Sequence, residues 1–575
     1  MENGLRPFPI KDGFKGYTGG GLKSDLKSGL NVALLGFPQG MAYAAIAELP
    51  IQVGIISGTI AAIVAPIFAG SRHTILGPTN ATAFMMFSSL AMIPDSERVR
   101  LLPMIVLFIG ILLILGALLR VADLIQYISR SVVVGYITGA AILIIANQLK
   151  HALGISIPPD PDPGHAGSSG TFFTILHDVF VNLKTLQWEA AVLAIGTLFI
   201  YVLLSKRLKG LPVFALTLVV MSGTYALLHL YAGWEVATFA SFQLDDLKPQ
   251  MPVPGPRGFF YDLTRILGVS FSVAFLASLE NSVMSKSLAS RSGDRPDMNQ
   301  DMLSVGMANF ANAFAGGMPA SGSLTRSALN FASGAVSRFS SIFSGLLCAV
   351  GLVLLGPHMD LVPKCVLGML VMCIAVSVIN SRHIRIALLA TPSDAAVAVT
   401  TFTAALLMPL NVAIFLGVGV SIMLYLRKAS RPYLTEYEFT EGGELREAGE
   451  KRKRPIPAIS IVHVEGELFF GAAELFRTQI QKTCLDPDLK VIILRLKNAR
   501  HLDATSVMAL EELVRYVRSL GREVIISGAS KEVYRVLKNA DMIDIIGRKN
   551  IYLNSPRNPN LSTRNALKRA QEVLG

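Results

Sequence analysis

Charge is what this chain lacks most: Asp, Glu, Lys and Arg make up 16% of its 575 residues, where a soluble globular protein carries about 25%. A soluble chain of this length would split into several domains with polar surfaces, which this composition does not supply. Cysteine is scarce as well. Cys348, Cys365, Cys373 and Cys484 show neither disulfide nor metal-ligand spacing, so no metal site is expected, and three of them lie in apolar segments as small hydrophobes. The first 28 residues are polar, Gly-rich and basic, and read as a cytoplasmic tail, not a cleaved signal. Nothing resembles a Gly-rich phosphate loop or a Ser/His/Asp constellation, so no enzymatic role and no cofactor are expected.

What is present is apolar sequence, 52% of the residues, in long runs. LLPMIVLFIGILLILGALL (101–119), VFALTLVVMSGTYALLHL (213–230) and VAIFLGVGVSIMLYL (412–426) approach or meet the length of about 20 residues that spans a bilayer. Fourteen hydrophobic segments fall near 28–47, 52–69, 78–92, 101–120, 131–150, 188–205, 212–231, 263–288, 302–315, 323–334, 338–356, 363–380, 393–409 and 411–427. The net charge of +12 is not a nucleic-acid footprint. It comes in short clusters between apolar segments, such as Lys206–Arg207–Lys209, Arg382–Arg385 and Arg427–Lys428–Arg431, mostly after even-numbered ones. That is the positive-inside pattern, and it places both termini in the cytoplasm of a multi-pass plasma (inner) membrane protein. The pair Arg98 and Arg100 is an exception, on the outer side.

Two segments are too short to span. The third starts at GPTNATAFMMF (77–87) and the tenth near ASGSLTRSALNFASG (320–334), each after Gly, Pro and small polar residues. They are third in the first seven and third in the second seven, the pattern of inverted-repeat transporters. A half-helix beginning inside the membrane leaves backbone N–H groups unpaired, with about half a positive charge at its amino end. Two facing ends make an anion site, which Ser, Thr and Asn at 79–82, Asn80 among them, and at 321–327 can complete. Small-residue packing seams are the alternative. Glu280, within VSFSVAFLASLENSVMSKSLA, and Arg326, one turn into segment 10, are charges at bilayer depth and so functional candidates.

After Arg431 the pattern changes. A charged linker (431–456) leads to alternating strands and helices over 457–549, a small α/β domain, followed by a polar, basic tail (550–575).

These features together resemble the SulP (sulfate permease-like) family over nearly the whole chain. The resemblance is carried by LLGFPQGMAYAAIAELP (34–50), SRHTILGPTNATAF (71–84) and DMNQDMLSVGMANFANAFAGGMPASGSLTRSALNFASG (297–334), with a carboxyl-terminal domain similar to a STAS domain. It implies an α-helical polytopic membrane fold with 14 transmembrane segments in a 7+7 inverted repeat. A transporter domain (28–430) follows a tail (1–27), its core helices 1–4 and 8–11 moving against gate helices 5–7 and 12–14 like an elevator. It implies a homodimer, with a soluble partner of the STAS domain as a further candidate. Carried over by position, Gln39, Tyr43, Thr79, Thr325 and Arg326 match substrate-lining residues, and Glu280 the acidic residue of cation coupling. Sodium-coupled relatives have Asp at that place and Thr four residues on. Here Glu280 is followed by Met284, and a thioether is a poor ligand for sodium, which favours a co-transported proton. LDATSV (502–507) stands where the STAS pattern has Asp-Ser-Ser-Gly. Thr505 is a candidate phosphorylation site, or with Asp503 a helix cap.

The resulting expectation is a secondary active transporter of a small inorganic anion, sulfate or bicarbonate. A dicarboxylate carrier of the same fold and a membrane sensor or scaffold acting through the STAS domain are the alternatives. A nucleobase permease is disfavoured by the base at 326.

Overall fold

The computed structural model describes the chain except residues 1–3, 15, 91–92, 94, 126–128, 158–170, 209–211, 244, 246, 256–257, 294–296, 431–432, 440–444, 448–453, 501, 556–557 and 559. It divides into two compact units, Met1–Ser421 and Ile422–Gly575.

The first unit is helical. Its first half runs through α1 (Gly19–Ile46), α2 (Ile51–Phe68), the two-residue strand β1 (Leu76–Gly77), α3 (Asn80–Leu90), α4 (Asp95–Leu118), the short α5 (Ala122–Ile125), α6 (Arg130–Ala152), α7 (Phe172–Val181), α8 (Trp188–Arg207) and α9 (Val213–Ala232). The second half contains α10 (Phe259–Ser292), α11 (Met298–Ala315), β2 (Ser321–Gly322), α12 (Leu324–Ala332), α13 (Phe339–Leu355), α14 (Lys364–Val378), α15 (Ser381–Leu389), α16 (Pro392–Leu407) and α17 (Leu410–Ala429). Each of the fourteen apolar segments lies on one of these helices. Among the described residues, nine helices have the length and composition to cross a membrane. α3 and α12, with 11 and 9 residues, do not.

Packing repeats between the halves. Numbering the fourteen in order, segment 4 packs on 9 and 11 on 2, 1 on 11 and 8 on 4, 3 on 8 and 10 on 1, and 5 on 13 and 12 on 6. Exchanging each segment with the one seven places along maps these contacts onto one another. Segments 1–4 thereby interlock with 8–11, while α6, α8, α9, α14 and α16 form a second group.

Two buried carboxylates tie the ends of the first group. Asp25 accepts from the backbone N–H groups of Val336 (2.7 Å) and Ser337 (3.1 Å), and Asp301 from those of Gly70 (2.9 Å) and Ser71 (3.0 Å). The amino-terminal segment lies over this layer. The Arg6 N–H donates to Gln300 (2.8 Å), and Arg338 donates to the Pro9 carbonyl (3.3 Å). At the opposite end, the arginines that broke the charge pattern are paired. Arg98 faces Glu48 at 3.7 Å and Arg100 faces Asp262 at 3.0 Å, beside Arg265 and Glu97 at 2.5 Å.

The second unit is a six-stranded sheet, β4-β3-β5-β6-β7-β8, made of β3 (Tyr433–Phe439), β4 (Leu445–Glu447), β5 (Ile459–Glu467), β6 (Val491–Arg500), β7 (Glu523–Ala529) and β8 (Ile551–Leu553). Strands β5 to β8 are parallel, and β3 joins antiparallel. Helices α18 (Phe470–Thr483), α19 (Ala504–Ser519), α20 (Lys531–Asn539) and α21 (Met542–Ile546) cover one face, and α22 (Leu561–Leu574) the other. This corrects two boundaries of the sequence reading. The linker at 431–456 contributes β3 and β4, whose alternation is masked by its charge. The tail at 550–575 supplies β8 and α22, whose buried face is Ser562, Thr563, Ala566 and Ala570, with Leu567 and Leu574 packed beside it, in an otherwise polar sequence.

One contact sets the spacing of α1 and α2. A Cβ on Gly54 would stand 2.0 Å from the Gly40 carbonyl oxygen, whereas one on Gly223 of α9 meets nothing within 4 Å. Overpacking of this kind costs about 1–3 kcal/mol or more. Gly54→Ala is expected to lower the thermal unfolding midpoint of the purified protein by several degrees, with Gly223→Ala unchanged. Equal midpoints would show that α1 and α2 separate freely.

Candidate functional site

The site begins with two chain breaks in the middle of the helical unit. β1 pairs with β2 antiparallel, Leu76 opposite Gly322 and Gly77 opposite Ser321. A two-residue ladder cannot satisfy the flanking extended backbone, and side chains do the rest. Asn309 bonds both polar groups of Ala320 (2.8 and 2.9 Å), and Ser57 donates to the Met318 carbonyl (2.6 Å). Asn330 donates to the His73 carbonyl (3.1 Å), and Ser327 accepts from the Ile75 N–H (2.9 Å). With these groups paired, α3 and α12 each start where their strand stops. Ser323 caps α12 by accepting from the Arg326 N–H (3.4 Å), and Thr82 accepts from the Thr79 N–H (3.0 Å) at the start of α3.

In front of these ends lies a cavity of about 510 Å³. Gln39, Tyr43, Thr79, Asn80, Glu280 and Thr325 all line it. The Thr79 hydroxyl donates to Glu280 Oε2 at 2.8 Å, joining the start of α3 to α10. The side-chain oxygens of Gln39 and Asn80 are buried without a hydrogen-bond partner. Buried polar atoms left unpaired in a cavity wall are where a polar ligand bonds.

Arg326 is placed differently. It is buried and does not line the cavity; its Nη2 donates to the Pro78 carbonyl at 2.7 Å, and a Cβ on Gly77 would stand 2.7 Å from Nη1. A side chain in the first turn of a helix leans toward the amino end, here onto β1, where glycine leaves room. The sequence-based view of Arg326 as a lining residue is corrected to a cation lodged behind the wall. From there it holds the backbone at Pro78, just ahead of α3.

Ser323, within the 321–327 stretch of the sequence reading, also lines the cavity; sequence reasoning missed Asn31, Tyr201 and Ser377, which line it too. Asn31 was readable, since Asn31, Leu35, Gln39 and Tyr43 repeat every four residues along one face of α1. Tyr201 and Ser377 belong to helices whose apolar sequence points to no site. The polar lining comes mainly from α1, α3, α10 and α12, while α6, α9 and α14 contribute chiefly apolar side chains such as Val133, Ile137, Phe214 and Ile374.

In the second unit, Thr505 is exposed in the first turn of α19. Asp503 caps that helix, accepting from the Ser506 N–H (2.8 Å) and also from the Phe470 N–H (2.7 Å). Burial pushes its carboxyl up, but these donors outweigh burial and hold it below the usual carboxylate range.

Half-helices meeting at a polar cavity within a bundle of spanning helices define a membrane transporter of the inverted-repeat class, with a small α/β domain appended. Comparison with known proteins agrees. The sulfate permease family model matches residues 22–401, about two thirds of the chain, and a STAS domain model matches 450–556. The chain belongs to the sulfate permease family; it is a transporter and not an enzyme. Among relatives, it is 25% identical over 554 residues to sulfate transporter 4.1, chloroplastic, of Arabidopsis thaliana, covering 92% of this chain and 78% of that one. The structure of the murine Solute Carrier 26 family member A9 anion transporter in the inward-facing state superposes with a TM-score of 0.85 at 19% identity, covering 98% of this chain and 94% of the other. The transmembrane domain of a cyanobacterium bicarbonate transporter, BicA, gives 0.60 at 17% identity over 71% of this chain and 98% of its own.

A depressed carboxyl contributes stability that is complete above its unfolded value, about 3.9, and is lost as pH falls through the lower folded value. Asp503→Ala is therefore expected to speed amide hydrogen exchange in the first turn of α19 at neutral pH, by about 1 kcal/mol of opening energy, and the difference from the unmodified chain should shrink below pH 4. Unchanged exchange at neutral pH would remove Asp503 as the cap.

Proposed function

We propose that the chain is a secondary active transporter that carries a small inorganic anion, sulfate or bicarbonate, by an elevator-type movement coupled to protons. The observation that carries this reading is the meeting of two half-helix amino ends at one cavity, with unpartnered Gln39 and Asn80 oxygens in its wall and Glu280 bonded to Thr79. Backbone dipoles, the hydroxyls of Thr79 and Thr325 and the field of Arg326 supply the attraction. Amide side chains turn their N–H groups to an anion by a simple flip, since O and N exchange places.

Glu280 sets the coupling. An ionised carboxylate in this cavity repels an anion, and a neutral one does not, so proton and anion bind together and leave together. Because the polar lining comes mainly from one group of helices and the opposing wall is largely apolar, an anion held by α1, α3, α10 and α12 travels with them. This supports the elevator.

The name of the plant relative supports sulfate, while the likeness to the cyanobacterial protein is one of fold, so bicarbonate rests on the size and charge of the anion alone. The cavity volume, within the range of small-molecule sites of about 300–1,000 Å³, and its apolar wall favour a dicarboxylate as the second reading. A homodimer in the plasma membrane with both termini cytoplasmic, and a STAS domain that meets a soluble partner or is modified at Thr505, complete the proposal. A phosphate at that helix amino end would be electrostatically favourable.

The test is flux into proteoliposomes offered labelled sulfate, bicarbonate and fumarate under imposed proton or sodium gradients. Proton-driven uptake of one anion is expected; the absence of any flux would point instead to a sensor acting through the STAS domain. Glu280→Gln should make uptake independent of pH, and a preserved pH profile would sink the coupling scheme. Arg326→Ala should weaken apparent anion affinity about tenfold, equivalent to about 1.4 kcal/mol, with Arg326→Lys retaining part of it. An unaltered affinity in the alanine variant would exclude the guanidinium field.

A further inference from the structure

A second cavity, of about 460 Å³, lies on the same seam as the first. The same three helices line both. Along α1 and the turn that follows it the walls pass from Gln39 and Tyr43 to Ala45 and Glu48, along α6 from Ile144 to Gln148 and His151, and along α14 from Ile374 back to Gly368 and Lys364. Four helical residues rise about 6 Å, so roughly one turn of side chains separates the two on α6. The second cavity sits toward the carboxyl ends of α1 and α6, away from the layer covered by the amino-terminal segment.

Its charges do not balance. Glu48 is engaged by Lys150 at 2.5 Å and Arg98 at 3.7 Å. Lys364 faces no acidic partner among the described residues. Its backbone is pinned, with its N–H on the Ala237 carbonyl (2.8 Å) and the Phe239 N–H on the Val362 carbonyl (3.2 Å). Its ammonium lies 6.0 Å from the centre of the Phe239 ring. Lys364 is also the first residue of α14, so the positive end of that helix opens at the same place. The lining thus carries Glu48, already engaged by Lys150 and Arg98, and the ammonium of Lys364 beside a helix amino end, in a recess with low-dielectric walls that focus the field.

We propose that this cavity is an anion vestibule, in which Lys364 draws a small oxyanion into the seam from the face opposite the amino terminus before the anion passes to the substrate cavity. The proposal rests on the anion-transport reading above. It adds a second binding place with its own residues, toward the face opposite the amino terminus. The anion is held there loosely, by one ammonium and a helix end, which suits capture and release better than storage.

Two readouts on the full-length protein in liposomes test it. The first is a methanethiosulfonate reagent pair, one anionic and one cationic, reacting with Ser241→Cys in the vestibule wall, corrected for the four native cysteines. The anionic reagent should be favoured, and adding Lys364→Gln should lower the anionic-to-cationic rate ratio about three- to tenfold, with Lys364→Arg restoring it. The second is transport from each face. Lys364→Gln should raise KM by a similar factor for anion offered from the face opposite the amino terminus at unchanged kcat in that direction; because the ratio of kcat/KM for the two directions is fixed by the overall equilibrium, the matching change from the other face should fall on kcat, with KM there unmoved. A labelling ratio indifferent to Lys364→Gln, or a KM that moves equally from both faces, would overturn the vestibule. If the unmodified protein moves no anion at all, the transport reading fails, and the labelling ratio still decides whether this cavity attracts anions.

Discussion

A bilayer offers backbone amides no water, so every N–H and C=O at membrane depth must find a partner within the protein. The two breaks at 73–79 and 318–323 are where this chain meets that demand least easily and gains most from meeting it. The four-residue ladder of β1 and β2 pairs only the centre. Asn309, Ser57, Asn330, Ser327 and Arg326 take up the flanking groups. Without them neither half-helix could begin where it does, and the amino ends of α3 and α12 would not face a common space. The site is thus a by-product of solving a hydrogen-bond problem. The same residues that make the breaks tolerable leave two helix ends free to act on a ligand.

Much of this was legible in the chain itself. Apolar runs separated by basic clusters mark the helices, and the shortness of segments 3 and 10 marks the breaks, because length against bilayer thickness is a local property. The lining by Gln39, Thr79, Asn80, Glu280 and Thr325 follows from their places at breaks and on helix faces. Orientation was not legible. Whether Arg326 reaches forward to the cavity or back to Pro78 depends on the absence of a side chain at Gly77, more than 200 residues away, and no periodicity carries that information. The Thr79–Glu280 bond is equally nonlocal. In the soluble unit, the errors arose where composition hides pattern. β3 carries two glutamates in seven residues, and α22 presents a face that is mostly small, Ser562, Thr563, Ala566 and Ala570.

The division of labour around the larger cavity is also a division of chemistry. One group of helices offers most of the hydroxyls, amides and the carboxylate. The other offers chiefly methyl and phenyl groups, with Tyr201 and Ser377 as exceptions. An apolar wall makes few specific bonds between the two groups. The Glu48–Lys150 pair is different, since it joins the turn after α1 to α6 across that line.

The interlocking of the halves bears on how the protein is made. Asp25 and Arg6 emerge among the first residues of the chain, yet their partners are Val336, Ser337 and Gln300. α1 packs on α13, α2 on α11, and β1 has no strand to pair with until β2 exists. A ribosome that has finished the first seven segments has therefore delivered a bundle with open seams and an unpaired extended stretch at bilayer depth. Biogenesis must shelter that intermediate for the time it takes to add about another hundred residues, at roughly 5–20 per second. Any variant that slows insertion of α11 to α13 prolongs that exposure, whatever its effect on the finished molecule.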